Sequence, residues 1–230
     1  MHTPNANHLL AALSDDDTRR IQPHLHPMDL ALGRVLYEPG DLEAHVYFPA
    51  DCIVSLLYVM ENGASAEISL VGNEGIVGVP VYMGGESMPN RAVVQSEGRA
   101  YQLPAKVLKE EFNRHGALFR VLLSYTQSLI TQMGQTTVCN RHHTIDQQLC
   151  RWLLMSLDRL PGNQLRMTQE LIANMLGVRR EGVTQAARNL QRQGLIDYKR
   201  GHITVLDRSE LERRCCECYA VVKRECDRLL

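Results

Sequence analysis

Apolar residues recur at helical spacing in two consecutive stretches of the segment 168–195. The first stretch holds Leu171, Ile172, Met175 and Leu176, and the second holds Val183, Ala186, Ala187 and Leu190. Gly177 lies between them and adopts a left-handed turn conformation at little cost, while Ala173 is small at the point where a second helix would cross. The pattern predicts a helix-turn-helix, whose second helix enters the major groove of DNA. An ordinary helical hairpin is the alternative.

The residues that follow favour the DNA-binding interpretation. Gly194 is placed to end the second helix. After it, the runs L-I-D-Y and I-T-V-L flank the polar turn K-R-G-H. Two short apolar runs around a polar, glycine-containing turn predict a β-hairpin, which is the wing of a winged helix-turn-helix.

The first half of the chain has a different period. Residues 7–26 predict a short helical region, in which Ser14 and three following Asp residues start the second helix. Short β-rich runs then follow at intervals of about 8–12 residues, with Pro-Gly and Asn-Gly turns among them. They span residues 34–37, 45–49, 52–60, 64–72, 91–95 and 99–103. This spacing predicts a β-roll or jelly roll.

Long helices are predicted between these two parts. Pro104 opens a helix that ends near Arg114, and residues 145–157 form a core helix of the second domain. Between them, Leu118, Leu122, Tyr125 and Leu129 recur at spacings of four and three, a coiled-coil-like stripe that continues to Gln132 and Thr136. The four apolar residues are predicted to form a dimer interface. The alternative is that this stripe packs on its own β-roll, and both can hold if they use different faces of the helix.

Residues 168–206 resemble the winged helix-turn-helix of the Crp/Fnr family of bacterial transcription regulators. The matching residues are Thr168, Glu170, Ala173, Gly177, Arg180, Glu181, Val183, Leu190, Gly194 and Leu195. The resemblance implies an α+β fold with three parts. These are a cyclic-nucleotide-binding-like β-roll sensor (1–115), a dimerisation helix (116–140) and a winged helix-turn-helix with a C-terminal helix (141–230).

The resemblance also implies a function. We expect a homodimer that binds palindromic double-stranded DNA and responds through its β-roll to a signal, with RNA polymerase and a small-molecule effector as further partners. No catalytic activity is expected, and the cofactor is unknown. A metal-dependent β-roll enzyme of the cupin kind would need several histidines in the roll, whose strands hold essentially His45 alone. A pure cyclic-nucleotide-binding module is disfavoured by the intact winged helix.

Composition agrees with a DNA-binding regulator. The 230 residues are 44% hydrophobic and 22% charged, values that are ordinary for a globular protein. No apolar run approaches about 20 residues, and the first residues lack a leader-like pattern, so we expect a cytoplasmic protein without membrane partners. The net charge of −1 is unevenly spread, since residues 165–214 hold ten Lys or Arg against six Asp or Glu.

The second helix of the helix-turn-helix is expected to read base edges. Arg bonds O6 and N7 of guanine, and Glu accepts from the amino group of cytosine. Glu181 has an alternative role as a stabilising charge at a helix N-terminus. The residues predicted to contact DNA are Gln169, Arg179, Arg180, Glu181, Thr184, Gln185, Arg188, Lys199 and Arg200, with His202 as a further backbone contact.

The β-roll retains part of a cyclic-nucleotide site by resemblance. Gly78 and Arg91 match a ribose-site glycine and a phosphate-pairing arginine, and they are the predicted ligand-binding residues. Val79 replaces a carboxylate and Ala92 replaces a hydroxyl. Because unpaired polar groups penalise binding, we expect cyclic AMP to bind weakly, and another anion remains open for Arg91.

The seven cysteines predict reduced thiols rather than a disulfide framework. Residues 211–230 are interpreted as one C-terminal helix, on which Cys215 and Cys218 share a face and Cys226 lies two turns further on. One helix does not easily supply the convergent ligands that a metal needs, and His24, His26, His142 and His143 lie at no standard spacing to this tail. The sequence therefore predicts no metal site, with a redox or metal role for Cys215, Cys218 and Cys226 as the alternative.

Overall fold

The computed structural model describes residues 4–230, so the first three residues of the predicted sensor part and of its N-terminal segment lie outside the described residues. Within this range no helix is long and apolar enough to cross a membrane. A 3-10 turn (Pro4–Ala6) is followed by two short helices, α1 (His8–Ala11) and α2 (Asp15–Ile21). Ser14 Oγ accepts a hydrogen bond from the Asp17 amide at 3.1 Å, which confirms the predicted start of the second helix.

Within the described part of the chain, seven antiparallel strands form the β-roll. They are β1 (His26–Leu30), β2 (Val35–Tyr37), β3 (His45–Pro49), β4 (Ile53–Val59), β5 (Ser65–Val71), β6 (Arg91–Ser96) and β7 (Gly98–Pro104). One sheet has the order β1-β7-β3 and the other β2-β6-β4-β5. Buried side chains such as Phe48, Val54 and Leu103 form the core of the roll. The predicted roll is confirmed. Strand β1 was not predicted, because its sequence H-P-M-D-L contains a proline and is strongly apolar only at its last residue, Leu30.

The roll leads into a long helical segment. It consists of α4 (Ala105–Phe112), α5 (Ala117–His142) and α6 (Ile145–Leu157), whereas the short helix α3 (Val79–Met83) lies within the roll, between β5 and β6. The turn between α5 and α6 is only two residues long. His143 caps the C-terminus of α5, and Thr144 caps the N-terminus of α6 in a capping box with Gln147.

The C-terminal part contains the predicted helix-turn-helix and wing. Its elements are β8 (Gln164–Arg166), α7 (Gln169–Leu176), α8 (Arg180–Arg192), β9 (Ile196–Lys199), β10 (His202–Val205), α9 (Arg208–Arg214) and α10 (Glu217–Leu229). The wing is a three-stranded sheet of order β8-β10-β9. The prediction of one helix over 211–230 is wrong, because the backbone of Cys215 and Cys216 is extended, with ψ of 155° and 163°.

The C-terminal part packs directly on the roll. Leu57 and Leu70, from β4 and β5, belong to the same apolar cluster as Trp152, Met175 and Leu176. A Cβ on Gly177, at the turn of the helix-turn-helix, would lie 3.3 Å from Cβ of Ala66 on β5. Helix α10 runs along α5. The boundaries 115/116 and 140/141 stay predictions, and α5 continues through the second of them.

The predicted dimer stripe faces inward. Leu118, Leu122, Tyr125 and Leu129 are at most 5% exposed and belong to the core of their own roll. They leave almost no surface for a partner, so this stripe packs on its own roll, as the alternative interpretation holds. A dimer interface through α5 stays a prediction. The opposite face of α5 exposes Leu123 (40%), Ile130 (64%) and Val138 (46%).

Candidate nucleic-acid interface

The two helices of the helix-turn-helix are fixed by a small apolar core. Thr168 Oγ1 accepts from the Leu171 amide at 3.2 Å and so starts α7. Gly177 ends that helix at a φ of 64°. Ala173 and Val183 are almost fully buried where α7 and α8 meet. The turn glycine and the two buried contact residues predicted from the sequence therefore hold this unit together.

A close approach at Gly182 fixes α8 from its other side. A Cβ at this position would lie 2.6 Å from Cδ1 of Ile145, at the start of α6. Asn189 also donates to the carboxylate of Asp146 at 3.1 Å. Sequence reasoning missed Gly182, although a glycine inside a helical pattern is itself a signal of close packing.

The outward face of α8 is polar and accessible. Its exposed residues include Arg179, Arg180, Glu181, Gln185 and Arg188. Arg180 Nε lies 3.8 Å from a carboxylate oxygen of Glu170, and both side chains are more than 60% exposed. An ion pair that is this exposed is worth little. Arg180 therefore remains available to another partner.

Two of the predicted DNA contacts bond to each other. The Thr184 hydroxyl lies 2.7 Å from Oε1 of Gln169 and 3.0 Å from the Arg180 carbonyl. Both neighbours are acceptors, so the single hydroxyl hydrogen is used within the protein. Thr184 and Gln169 thus link α8 to α7, a role that the sequence did not indicate.

The wing carries its basic residues at a tight turn. Arg200 and Gly201 both have positive φ, at 50° and 81°, as the central residues of a type I′ hairpin do. Lys199 pairs with Asp197 at 3.1 Å, and the side chains of Lys199, Arg200 and His202 are exposed. Tyr198 OH donates a hydrogen bond to the Met167 carbonyl at 2.8 Å and so joins β9 to the residue that follows β8.

The two predicted ligand-binding residues of the roll have different neighbours. Gly78 precedes α3 at a φ of 116°, and a Cβ there would meet Val46 and Glu43 within 2.9 Å. Arg91 pairs with Glu38 at 2.7 Å. It also lines a cavity between the roll and α7, on the face of β6 opposite to the core residue Ala92.

A carboxyl group, and not a cation, lies next to Gly78. Both side-chain oxygens of Glu43 are buried without a hydrogen-bond partner among the described residues. Burial raises the pKa of Glu43 to about 7. Nearby, Asn90 Nδ2 donates to the hydroxyl of Tyr37 at 3.2 Å, and burial raises the pKa of Tyr37. This environment disfavours a phosphate beside Gly78.

The cysteines of the tail do not group as the sequence suggested. Cys226 lines a cavity with Arg159 and Tyr219, apart from the others. Cys139, His143, Cys216 and Cys218 instead place one ligand atom each within 4.8 Å of one another. We call these four residues the thiol–imidazole cluster. Hydrogen bonds from the Cys139 and Cys215 thiols lower the pKa of Cys216.

Two family models match the chain, one in each half. The model of the cyclic nucleotide-binding domain matches residues 27–115. The model of the Crp-like helix-turn-helix domain matches residues 147–214. These ranges contain the strands of the roll from β2 to β7 and all of α7, α8 and the wing.

Individual relatives are distant but similar over most of their length. The global nitrogen regulator of Synechococcus elongatus is 23% identical over an alignment of 185 residues, which covers 76% of this chain and 83% of that protein. The structure of FixK2 from Bradyrhizobium japonicum has a TM-score of 0.72 at 16% identity, covering 84% of this chain and 98% of its own. A transcriptional regulator of the Crp/Fnr family from Eubacterium rectale gives 0.70 at 18%, covering 91% and 98%.

Proposed function

Because the chain belongs to the Crp/Fnr family of transcription regulators, we propose that it is a homodimer that binds a palindromic DNA site in a sequence-specific way. The observation that carries the proposal is the exposed start of α8. Arg180 and Glu181 stand in its first turn, on a helix that is fixed from two sides by Val183 and Gly182. A rigid helix with free polar side chains at its N-terminal end is what base readout in the major groove requires.

The residues around α8 supply the contacts to the DNA backbone. Arg179, Arg188, Lys199 and Arg200 are exposed and positively charged. Phosphate contacts of this kind fix the register of the protein on the duplex and carry no sequence information. Arg180 and Glu181 are the base-reading residues in this proposal. Gln185 donates a hydrogen bond to Asn189 at 3.1 Å and is a further candidate for base contact.

Two copies are needed to read a palindrome, and α5 offers the surface for them. Leu123 and Ile130 are one heptad apart on its exposed face, with Gly134 and Thr137 continuing the spacing of four and three. A C2 dimer through this face presents two copies of α8 to two half-sites. The dimer surface proposed from the sequence is thereby moved to the other side of the same helix.

The regulator also needs an input and an output. We infer that the roll receives a signal other than cyclic AMP, since Glu43 occupies the surroundings of Gly78. RNA polymerase is the partner through which a bound regulator of this family would act. The proposed activity is binding, and no catalytic step is assigned to any residue.

A selection of random DNA duplexes tests the proposal. The wild type should enrich a palindrome. Arg180→Ala should lose about 1–3 kcal/mol on that palindrome and much less on random DNA, because it removes a contact to base edges. Lys199→Ala is the matched control, since it removes a cation without a predicted base contact. It should weaken all duplexes alike and reduce the salt slope by about one.

Equal losses for Arg180→Ala and Lys199→Ala on specific and random DNA would overturn the assignment of α8 as the reading helix. Failure of the wild type to enrich any sequence would overturn sequence-specific binding itself. Glu181→Ala adds a further distinction. It should relax the preference at a C·G pair without abolishing binding, since it also removes a negative charge near the phosphates.

A further inference from the structure

The thiol–imidazole cluster has the dimensions of a tetrahedral metal site. The Cys139 and Cys216 sulfurs are 3.5 Å apart, and Cys218 Sγ lies 3.6 Å from Nδ1 of His143. With zinc–sulfur bonds of about 2.3 Å and zinc–nitrogen bonds of about 2.0–2.1 Å, a tetrahedral site has sulfur–sulfur edges of about 3.8 Å and sulfur–nitrogen edges of about 3.6 Å. All four ligand atoms lie within 4.8 Å of one another. One small ion at the centre would reach every ligand.

The ligands come in two pairs from two structural elements. Cys139 is in the last turn of α5, and His143 caps that helix four residues later. Cys216 caps the N-terminus of α10, and Cys218 is in its first turn. Residues i and i+4 of a helix share a face, and the extended backbone at Cys216 turns its sulfur towards that of Cys218. Each pair is therefore arranged locally, and the packing of α10 along α5 joins the two.

The histidine is oriented as a metal ligand. Its Nδ1 faces Cys218, while its Nε2 lies 3.3 Å from a carboxylate oxygen of Glu217. Ligating histidines almost always give their second ring N–H to such a carboxylate, which fixes the tautomer. Gln148 Nε2 also donates to the backbone carbonyl of His143 at 3.0 Å and that of Cys139 at 3.5 Å. These hydrogen bonds hold His143 and the end of α5 in the orientation that a metal site needs.

The surroundings suit the charge of a metal–thiolate centre. Three thiolates, a neutral imidazole and a divalent ion sum to −1. Arg151 is buried on α6, close enough for its positive charge to act on the sulfurs of Cys139 and Cys218. Its Nε has no hydrogen-bond partner among the described residues. A buried cation next to the cluster balances a negative centre, which neutral thiols would not do.

We propose that Cys139, His143, Cys216 and Cys218 bind one zinc ion in a closed tetrahedral site. Three cysteines and one histidine are a regular ligand set for structural zinc. Iron–sulfur clusters spread their cysteines over several metal atoms, and the compact arrangement here fits a single ion. Binding displaces the thiol protons to solvent, up to three for each zinc ion.

The position of the site gives the ion a mechanical effect. His143 and Thr144 are the only residues between α5 and α6, and so they form the covalent hinge between the roll with its long helix and the DNA-binding part. The zinc ion adds a second connection beside this hinge, from the end of α5 to the start of α10. It fixes the orientation of the DNA-binding part relative to α5. This consequence rests on the proposed function, whereas zinc binding itself does not.

Metal analysis of the full-length protein, purified under reducing conditions without chelators, tests the proposal. The wild type should contain one zinc ion per chain. Cys139→Ser and Cys216→Ser should lose it, and the matched controls Cys52→Ser and Cys226→Ser should keep it. Cobalt(II) added to the metal-free protein should give the visible absorption bands of a tetrahedral, thiolate-rich site. These bands should be absent from the Cys139→Ser and Cys216→Ser variants.

A further variant that keeps the fold distinguishes loss of the metal site from misfolding of the cysteine variants. Glu217 is 75% exposed, so Glu217→Gln should leave the fold intact. It should weaken zinc binding about 10–100-fold in competition with a chelating dye, because it replaces the carboxylate that accepts the histidine N–H by a neutral amide, a weaker acceptor. Asp227→Asn, also on α10, is the control and should retain wild-type affinity.

Three outcomes would overturn the zinc site. These are a wild-type protein that holds no zinc and gives no cobalt bands, one that holds iron with sulfide, and one in which Cys139 and Cys216 form a disulfide after reducing purification. Selection of random DNA on the same samples separates the two proposals. A zinc-loaded protein that enriches no sequence contradicts the proposed function alone. A wild-type protein that is purified without metal and still selects its DNA sequence with full specificity contradicts the zinc site alone.

Discussion

Arg159 donates from Nε to the carboxylate of Glu74 at 2.8 Å, and the two side chains are only 8% and 10% exposed. Arg159 lies just beyond α6, and Glu74 lies in the loop after β5. The guanidinium also donates to the Met155 carbonyl at 2.7 Å, and its stem passes over Gly72, where a Cβ would clash at 2.6 Å. This buried pair therefore joins the DNA-binding part to the roll.

Removing one partner of this pair should be costly. Glu74→Gln leaves the Arg159 charge buried without its counter-ion, and we expect the free energy of unfolding to fall by about 3–5 kcal/mol. Urea unfolding at neutral pH measures it. Glu110→Gln is the control, because Glu110 faces Lys106 at 4.0 Å on the surface and should cost less than about 1 kcal/mol. Equal effects of the two variants would show that the buried pair does not hold the two parts together.

The exposed face of α5 should carry the dimer. The double variant Leu123→Asp and Ile130→Asp places like charges opposite one another across a two-fold axis, and light scattering should report a monomer. Leu206→Asp changes an exposed apolar side chain near the wing and should leave the dimer unchanged. A dimer that persists in the double variant would place the interface elsewhere.

Cyclic AMP should bind with a dissociation constant above about 1 μM, which is weaker than about 8 kcal/mol. Val79 and Ala92 offer no polar group to the ribose or phosphate, and the carboxyl of Glu43 lies beside Gly78. Calorimetry with the full-length protein gives the constant. Binding tighter than this would mean that other residues of the roll supply the missing contacts.

The helix-turn-helix was predictable because each of its parts follows a local rule. Thr168 caps α7, Gly177 takes a positive φ, and Val183 fills the space between the helices. Each signal lies within a few residues of the structure that it determines. The strands of the roll from β2 onwards were predictable for the same reason, through their alternation and turns.

The remaining features depend on contacts between distant parts of the chain. Periodicity identified the apolar face of α5 at Leu122 and Tyr125, but it does not say whether a partner or the roll covers that face. Cys139 and Cys216 are 77 residues apart, and only the packing of α10 on α5 brings them together. On one continuous helix, Cys216 would point away from the face that Cys215 and Cys218 share. The extended break at Cys215 and Cys216 reverses that conclusion.

Glu67 should make the protein less stable as the pH rises. It lies on β5, buried beside the packed C-terminal part, and it accepts a hydrogen bond from Ser55. Burial raises the pKa of Glu67 to about 8, against its ordinary value of 4.5, even with Arg151 and Arg159 nearby. Between these two values the folded protein holds a proton that the unfolded chain has lost. Stability from this group is therefore fully present below about pH 4.5 and is lost as the pH rises through about 8, at up to about 1.4 kcal/mol per pH unit.

Glu67→Gln isolates this effect, because the amide oxygen still accepts from Ser55 while the side chain no longer ionises. The difference in the free energy of unfolding between variant and wild type should grow in favour of the variant from about pH 5 to about pH 8. Taking the difference removes the contribution of the other titrating groups, and Glu61→Gln, in the exposed turn after β4, should give a flat difference. A flat difference for Glu67→Gln as well would show that Glu67 is ionised in the folded protein at neutral pH. The nearby arginines would then outweigh the cost of burial, and this part of the interface between roll and DNA-binding part would be an ion-pair network.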